Sequence, residues 1–248
     1  LETGIRGSCD PVFYDVGKNF FYDEKNPEGL QEMFRRWGLG SKTGVDLPSE
    51  EAGRIPDAQW KESYFKDWTA EQRAWNAGDM TNIVIGQGDI LVTPLQMACV
   101  YAGIGSKGVE YTPHVLLSSL SRDGAGDAYT YKQSQRLKAD ISDDDEFGVV
   151  TRGLHAMIYE ESPSTAKHFT NLPVQVAGKS GTGEKSGESD YGWFIAYAPY
   201  EDPKYVIACL IEQGGFGSTC AMPAVRTVLG ALYDSVDDAA YAGGDSTR

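Results

Sequence analysis

The 248-residue sequence has few basic residues and no long apolar run. It contains 22 Lys and Arg against 36 Asp and Glu, so its formal net charge is -14. A negative field of that size repels the phosphates of nucleic acids and of anionic lipid surfaces, and we expect no nucleic-acid partner. No stretch approaches the roughly 18 apolar residues of a membrane span, and residues 1–10 do not resemble a signal peptide. Any export signal or membrane anchor is therefore expected outside this chain.

Cysteine and histidine are scarce as well. The four cysteines, Cys9, Cys99, Cys209 and Cys220, form no C-x-x-C pair and stand at no metal-ligand spacing from the three histidines. The sequence therefore predicts no metal site. Free, buried thiols are the simpler interpretation, and a disulfide between Cys209 and Cys220 is the alternative in an oxidising compartment.

Apolar residues recur at helical spacing in several segments. Residues 27–37 form an amphipathic pattern, and residues 92–103 form another, which opens with Thr93 as N-cap and with Gln96 completing a capping box. The acidic run 142–147 has the composition of a cation site. However, helical spacing continues behind it, and carboxylates favour the positive end of a helix dipole, so we interpret it as a helix start.

The apolar period changes to two beyond residue 170. Three strand-like runs follow at residues 174–184, 192–199 and 204–212, and their short connections favour antiparallel neighbours. Both faces of the second and third runs are apolar, so we expect these two strands inside a sheet that is covered on both sides. Residues 220–236 return to helical spacing and can cover one face. The predicted fold class is α+β, with helices first, an antiparallel sheet flanked by helices last, and a disordered tail at 237–248.

The first strand-like run contains polar residues that an ordinary strand does not need. Gly181 removes a side chain where an extended peptide can pair with the strand. Ser180 and Thr182 offer hydroxyls to a carboxylate, the N–H of Thr182 can donate to an oxyanion, and Lys179 supplies a positive potential. This combination favours an acyl-transfer site for a peptide with a free C-terminal carboxylate. A glycine-rich hairpin with solvated polar residues is the alternative.

Two other stretches bear on this choice. Lys42-Thr43-Gly44 has the same pattern, but it follows a helix stop and precedes a Pro-containing turn, so we interpret it as a connection. Ser8-Cys9-Asp10 precedes a helical run, and in it Ser8 can relay a proton while Asp10 orients the relay or holds a substrate amide. Asp10 before Pro11 is also a good helix N-cap, and the two roles are compatible.

Six segments together resemble, in order and at suitable distances, the C-terminal two-thirds of the transpeptidase domain of class B penicillin-binding proteins. The family has the motif set Ser-x-x-Lys, Ser-x-Asn and Lys-Thr-Gly. The resemblance covers about residues 5–235 and implies the fold of penicillin-binding proteins and serine β-lactamases. The segments are SCDPVFYDVG, GLGSKTGVDLPSEEAGRIPD, NIVIGQGDILVTPLQMA, VAGKSGTGE, YGWFIAYAP and YVIACLIEQGG.

In this resemblance Ser8 is similar to the serine of the second motif, and Asp10 stands where many members have Asn. Asp at this place resembles the elongation-type branch, similar to penicillin-binding protein 2. Residues 179–182 match the third motif, with Ser180 replacing Thr. The implied catalytic residues in this chain are thus Ser8, Asp10 and Lys179.

The implied activity is a β-lactam-sensitive D,D-transpeptidase that cross-links peptidoglycan. A serine attacks the D-Ala-D-Ala carbonyl of a stem peptide, Ser8 helps to move protons, and Lys179 with Ser180 and Thr182 holds the terminal carboxylate. No metal or organic cofactor is implied. The implied partners are stem peptides, β-lactam antibiotics, the N-terminal part of the same domain and other cell-wall synthesis proteins. The implied location is the extracytoplasmic face of the bacterial plasma membrane.

The family's nucleophile is the serine of Ser-x-x-Lys, which precedes the second motif. Seven residues precede Ser8, and the two matches in the chain, at 63–66 and 164–167, both follow it. We expect neither Ser63 nor Ser164 to be the nucleophile. We therefore expect residues 1–236 to be part of a transpeptidase domain whose nucleophile lies upstream, and the chain alone to be inactive.

Two other functions fit the same resemblance. One is a non-catalytic sensor or scaffold that binds muropeptide or antibiotic without turnover, which an upstream sequence without Ser-x-x-Lys would favour. The other is a serine β-lactamase or D,D-carboxypeptidase, which hydrolyses its acyl-enzyme and which turnover of a chromogenic cephalosporin would reveal.

Overall fold

The computed structural model describes residues 1–123, 126–138 and 144–233. The chain divides into two compact units, one formed by Leu1–Phe13 with Asp143–Arg248 and the other by Tyr14–Ser142. Among the described residues, no helix is both long and apolar enough to cross a membrane. The tail predicted at 237–248 lies outside the described residues.

The secondary structure consists of helices followed by a sheet, with two small two-stranded sheets between them. The helices are α1 (Glu2–Arg6), α2 (Asp10–Phe21), α3 (Gly29–Arg36), α4 (Ala58–Tyr64), α5 (Ala70–Arg73), α6 (Ala77–Val84), α7 (Pro94–Gly105), α8 (Asp144–Tyr159), α9 (Pro163–Phe169) and α10 (Ala221–Leu232). The strands are β1 (Val109–Tyr111), β2 (Ser118–Leu120), β3 (Asp127–Thr130), β4 (Gln135–Lys138), β5 (Ala177–Gly183), β6 (Tyr191–Ala198) and β7 (Tyr205–Ile211).

The first unit contains an antiparallel sheet in the order β5-β6-β7, which confirms the three predicted strands. Phe194, Ala196 and Ala198 alternate along β6 and pack into one hydrophobic core with residues of α8, α9 and α10. The intervening Ile195 and Tyr197 are buried too, so β6 is covered on both faces as predicted. For β7 the prediction was wrong. It is largely half-buried with exposed ends, because it lies at an edge of the described sheet.

Five predicted helices are confirmed, and the helical run that follows Ser8-Cys9-Asp10 is α2. The pattern at 27–37 corresponds to α3, and the segment 220–236 contains α10, whose buried residues cover one face of the sheet. The acidic run begins α8 at Asp144. In α7, Thr93 accepts a hydrogen bond from the N–H of Gln96, and the reciprocal bond completes the predicted capping box.

The second unit contains α3 to α7 and two two-stranded antiparallel sheets, β1-β4 and β2-β3, which the sequence analysis did not predict. Strands of three or four residues are too short for their alternation to stand out. Residues 42–44 lie in a connection without regular secondary structure, as predicted.

Candidate active site

Ser8 lies in the tight turn between α1 and α2. Its φ angle is 49°, in the left-handed region that residues other than glycine adopt uncommonly. The turn is closed by backbone hydrogen bonds from the N–H of Gly7 to the carbonyl of Thr3 at 3.0 Å and from Cys9 to Gly4 at 2.9 Å. This turn holds Ser8 in a defined, exposed position directly before α2.

Asp10 is the first residue of α2, one position further into the helix than the N-cap predicted for it. Its exposed carboxylate lies at the N-terminal end of the helix, where the macrodipole stabilises negative charge.

Lys179 lies on β5, which pairs with β6 on one side and has no other strand partner among the described residues. Because side chains alternate along a strand, Lys179 and Gly181 lie on one face of the sheet, and Ser180 and Thr182 lie on the other. A ligand that reaches all four residues must therefore lie along the outer edge of β5.

The side chains of Ser8 and Lys179, 171 positions apart in the sequence, meet in the first unit. The Nζ of Lys179 donates a hydrogen bond to Ser8 Oγ and another, at 3.0 Å, to the carbonyl of Ser180. Burial lowers the pKa of Lys179 below its ordinary value, while the carboxylates of Glu161 and Asp10 raise it. A lysine with a lowered pKa beside a hydroxyl is suited to proton exchange.

Two glycines of β5 have different roles. A Cβ on Gly178 would lie 2.8 Å from Cβ of Ala196, so glycine there permits close packing of the two strands. Among the described residues, the one atom that a Cβ on Gly181 would meet within 4 Å is Cβ of Trp193, at 3.5 Å. The sheet itself therefore has room for a side chain at Gly181, and its absence leaves the exposed edge open.

Of the predicted site residues, Ser8 and Lys179 are joined by a hydrogen bond, and the carboxylate of Asp10 acts on Lys179 through its charge. The remaining three, at 180–182, continue along β5. The sequence analysis missed Glu161, which follows α8 and acts on Lys179 through its charge. No sequence pattern marks this residue, because it lies in the irregular segment between α8 and α9.

Of the two Ser-x-x-Lys matches, only the first has a serine side chain that the structure describes. The Oγ of Ser63 donates to the carbonyl of Trp60 at 2.9 Å, and among the described contacts Lys66 makes no hydrogen bond to it. Ser164 lies on α9, and its side chain is outside the described part. All four cysteines are free, and in the part of the chain that the structure describes no three His, Cys, Asp or Glu side chains cluster as metal ligands.

Sequence comparison agrees with the predicted resemblance. The sequence model of the penicillin binding protein transpeptidase domain matches residues 1–230. A peptidoglycan D,D-transpeptidase MrdA from Haemophilus influenzae is 30% identical over 246 residues, which cover 92% of this chain and 35% of that protein. MrdA from Acinetobacter baumannii is 32% identical over 236 residues, which cover 89% of this chain and 33% of that protein. The chain thus spans about a third of the length of these curated relatives.

Structural comparison confirms the predicted fold. Penicillin-binding protein PBP2 of Helicobacter pylori, solved in complex with MreC, is similar with a TM-score of 0.77 and 28% identity, over 94% of this chain and 40% of that one. PBP2 of Pseudomonas aeruginosa, solved in complex with WCK 5153, also has a TM-score of 0.77, with 25% identity over 96% of this chain and 50% of that one.

Proposed function

Because the chain belongs to the family of penicillin-binding protein transpeptidase domains, we propose that its protein is a peptidoglycan D,D-transpeptidase and a target of β-lactams. The observation that supports this most is the hydrogen bond from Lys179 Nζ to Ser8 Oγ. It joins the second and third motif positions, which a glycine-rich hairpin with solvated polar residues would leave apart.

The proposed reaction is acyl transfer through a serine ester. A serine Oγ attacks the carbonyl between the two D-Ala residues of a stem peptide and gives up its proton. The terminal D-Ala leaves as an amine that takes a proton. The amine of a second stem peptide then attacks the ester, loses a proton and forms the cross-link amide, and the serine is released and takes back a proton. The nucleophilic serine is not assigned to any residue of this chain.

The residues of this chain would bind the peptide and move its protons. Ser8 relays a proton between the reacting atoms and Lys179, whose lowered pKa makes the exchange easier. The negative charge of Asp10 favours the ammonium form of Lys179. Along the edge of β5, Lys179 with the hydroxyls of Ser180 and Thr182 holds the terminal carboxylate, and the N–H of Thr182 donates to the developing oxyanion.

The cellular setting is proposed from the relatives. MrdA and PBP2 are the names of the proteins compared above, one of them solved with MreC. We place the protein on the extracytoplasmic face of the bacterial plasma membrane, in the elongation branch of the family, with stem peptides and another cell-wall synthesis protein as partners.

The test uses the full-length protein with a pentapeptide donor that ends in D-Ala-D-Ala and an amine acceptor. We expect release of one D-Ala for each cross-linked product, measured by mass spectrometry, and stable labelling by fluorescent penicillin. Labelling without D-Ala release would indicate a sensor, while rapid turnover of a chromogenic cephalosporin would indicate a β-lactamase. Either result would contradict the transpeptidase assignment.

A further inference from the structure

Helix α1, which ends just before Ser8, is seated closely on α8. A Cβ on the buried Gly153 of α8 would lie 2.8 Å from Cβ of Ile5, so the two helices approach each other as only glycine allows. At the start of α1, Glu2 Oε2 lies 2.9 Å from Arg152 Nε. Of these contacts, the Glu2–Arg152 ion pair lies at the start of α1, whereas the contact of Ile5 with Gly153 lies directly before Arg6.

A second ion-pair group lies at the other end of α1, next to Ser8. Arg6 Nε lies 3.3 Å from Glu161 Oε2, and Arg6 Nη1 lies 3.7 Å from Glu160 Oε2. A Cβ on Gly7 would be 3.8 Å from the same Glu161 oxygen. Glu161 thus lies against the residue that directly precedes Ser8.

Glu161 also acts on the other member of the Ser8–Lys179 pair. Two carboxylates raise the pKa of Lys179 against the effect of burial, and that of Glu161 has the larger influence, followed by that of Asp10 on α2. Among the described residues, Glu161 and Asp10 are thus the carboxylates that raise the pKa of Lys179, and Arg6 is the cation paired with Glu161. The carboxylate of Glu161 thus acts on both partners of the Ser8–Lys179 hydrogen bond: it lies against the residue before Ser8, and its charge acts on Lys179.

We propose that Arg6 and Glu161 are positioning residues that hold the Ser8 turn at hydrogen-bonding distance from Lys179. We call the Arg6–Glu161 ion pair the bridge. Its effect on catalysis rests on the proposed function, but its effect on the position of Ser8 does not. Both side chains are more than a third exposed, at 37% and 42%. An ion pair this exposed contributes little to stability, so its loss should affect the geometry of the site far more than folding.

The chain contains a matched control for this proposal. The Glu2–Arg152 pair joins α1 to α8, whereas the Arg6–Glu161 pair joins α1 to the segment that follows α8. The Glu2–Arg152 pair is similarly exposed, at 44% and 49%, but it lies at the other end of α1. We expect Glu161→Gln to lower the pKa of Lys179 further, because a carboxylate that favours the ammonium form is removed, and Glu2→Gln to leave it unchanged. The measurement is a pH titration of ¹³C-labelled lysine by NMR, with the Lys179 signal assigned by its loss in Lys179→Arg.

A second measurement follows acylation of the full-length protein by fluorescent penicillin. A misplacement of about 1 Å can cost up to about 100-fold in rate, so we expect Arg6→Gln and Glu161→Gln to slow acylation about 10- to 100-fold while Glu2→Gln does not. Equal thermal midpoints of the three variants would show that stability is not the cause.

The two measurements separate the two proposals. If Glu161→Gln and Glu2→Gln give the same Lys179 titration and the same acylation rate, the positioning role is wrong. If the Lys179 pKa shifts only in Glu161→Gln while the wild-type protein is not acylated at all, the bridge is supported and the proposed function is wrong.

Discussion

Two stretches of the chain, Lys179-Ser180-Gly181 and Lys42-Thr43-Gly44, share a pattern of lysine, hydroxyl and glycine but differ in their surroundings. Thr43 is 2% exposed, and both its N–H and its hydroxyl donate to the carboxylate of Glu50. Lys179, by contrast, reaches from the edge of a strand to the hydroxyl of Ser8. The polar groups of Thr43 are thus hydrogen-bonded within the fold, whereas those of Lys179-Ser180-Gly181 border an exposed strand edge.

The backbone directly before the second stretch is held by two further side chains. The Nε2 of Gln96 donates to the carbonyl of Ser41 at 2.8 Å, and Arg136 Nη2 donates to the carbonyl of Gly38 at 2.9 Å. Arg136 is also paired with Glu110, which is 1% exposed. The N–H and hydroxyl of Thr43 are thus bonded within the fold, whereas Lys179 bonds to Ser8, a residue 171 positions away that belongs to the same predicted site.

The largest difference is expected for removal of the two lysines. In the full-length protein we expect Lys179→Ala to slow acylation by fluorescent penicillin about 100- to 1,000-fold, because it removes a charge that acts on the reacting atoms. Lys42→Ala is the control and should not change the rate. A similar loss in both variants, or in neither, would remove the functional distinction between the two stretches.

The next effect concerns the buried carboxylate beside the second stretch. Burial raises the pKa of Glu110 to about 7, although Arg136 opposes the rise. A raised pKa means that the folded state favours the protonated form, so this stabilisation is complete below about pH 4.5 and is lost as the pH rises through about 7. We expect the free energy of unfolding to fall over this window by on the order of 2–3 kcal/mol.

Denaturant titrations between pH 5 and 8 (roughly the range of this transition) measure that change, with Glu110→Gln as the comparison. The variant has no titratable group at this position, so its stability should depend less on pH. Identical pH dependence in the two proteins would show that Glu110 is not responsible.

A third prediction concerns Gly181, the last residue of the first stretch, and Gly217, which packs against it. A Cβ on Gly217 would lie 2.4 Å from the carbonyl oxygen of Gly181 and 2.0 Å from that of Trp193. We expect Gly217→Ala to cost about 1–3 kcal/mol of stability through overpacking. The structure has room for a Cβ at position 181, so the free energy of unfolding of Gly181→Ala should lie within about 1 kcal/mol of the wild-type value. The same substitution should weaken binding of an extended peptide to the edge of β5. Thermal unfolding and peptide binding by calorimetry test both expectations, and a Gly181→Ala protein that binds normally would contradict the role of the open edge.

The smallest effect is expected from the hydroxyls of the two stretches. Thr43→Val removes a donor from Glu50 and should destabilise the chain by about 1–2 kcal/mol. Ser180→Ala should leave the chemical denaturation midpoint almost unchanged. The reverse order would mean that Ser180, not Thr43, is the structural hydroxyl.

Local features of this chain were predictable from the sequence, whereas contacts between distant segments were not. The capping box of α7 and the alternation of β5 and β6 depend on neighbouring residues, so their patterns are visible in the sequence. The resemblance brought Ser8 and Lys179 into one hypothesis, although no spacing rule joins residues 171 positions apart. Arg6 and Glu161 escaped notice, because an ion pair between a helix end and a loop has no sequence signature.

The role of the Ser8–Lys179 pair is tested most directly by mapping the serine that penicillin acylates. We expect peptide mass spectrometry of the labelled full-length protein to place the adduct on a serine other than Ser63 and Ser164, and Ser8→Ala or Lys179→Ala to slow its formation. The 248-residue chain by itself should remain unlabelled. An adduct on Ser63 or Ser164, formed at the same rate in Lys179→Ala, would contradict this assignment.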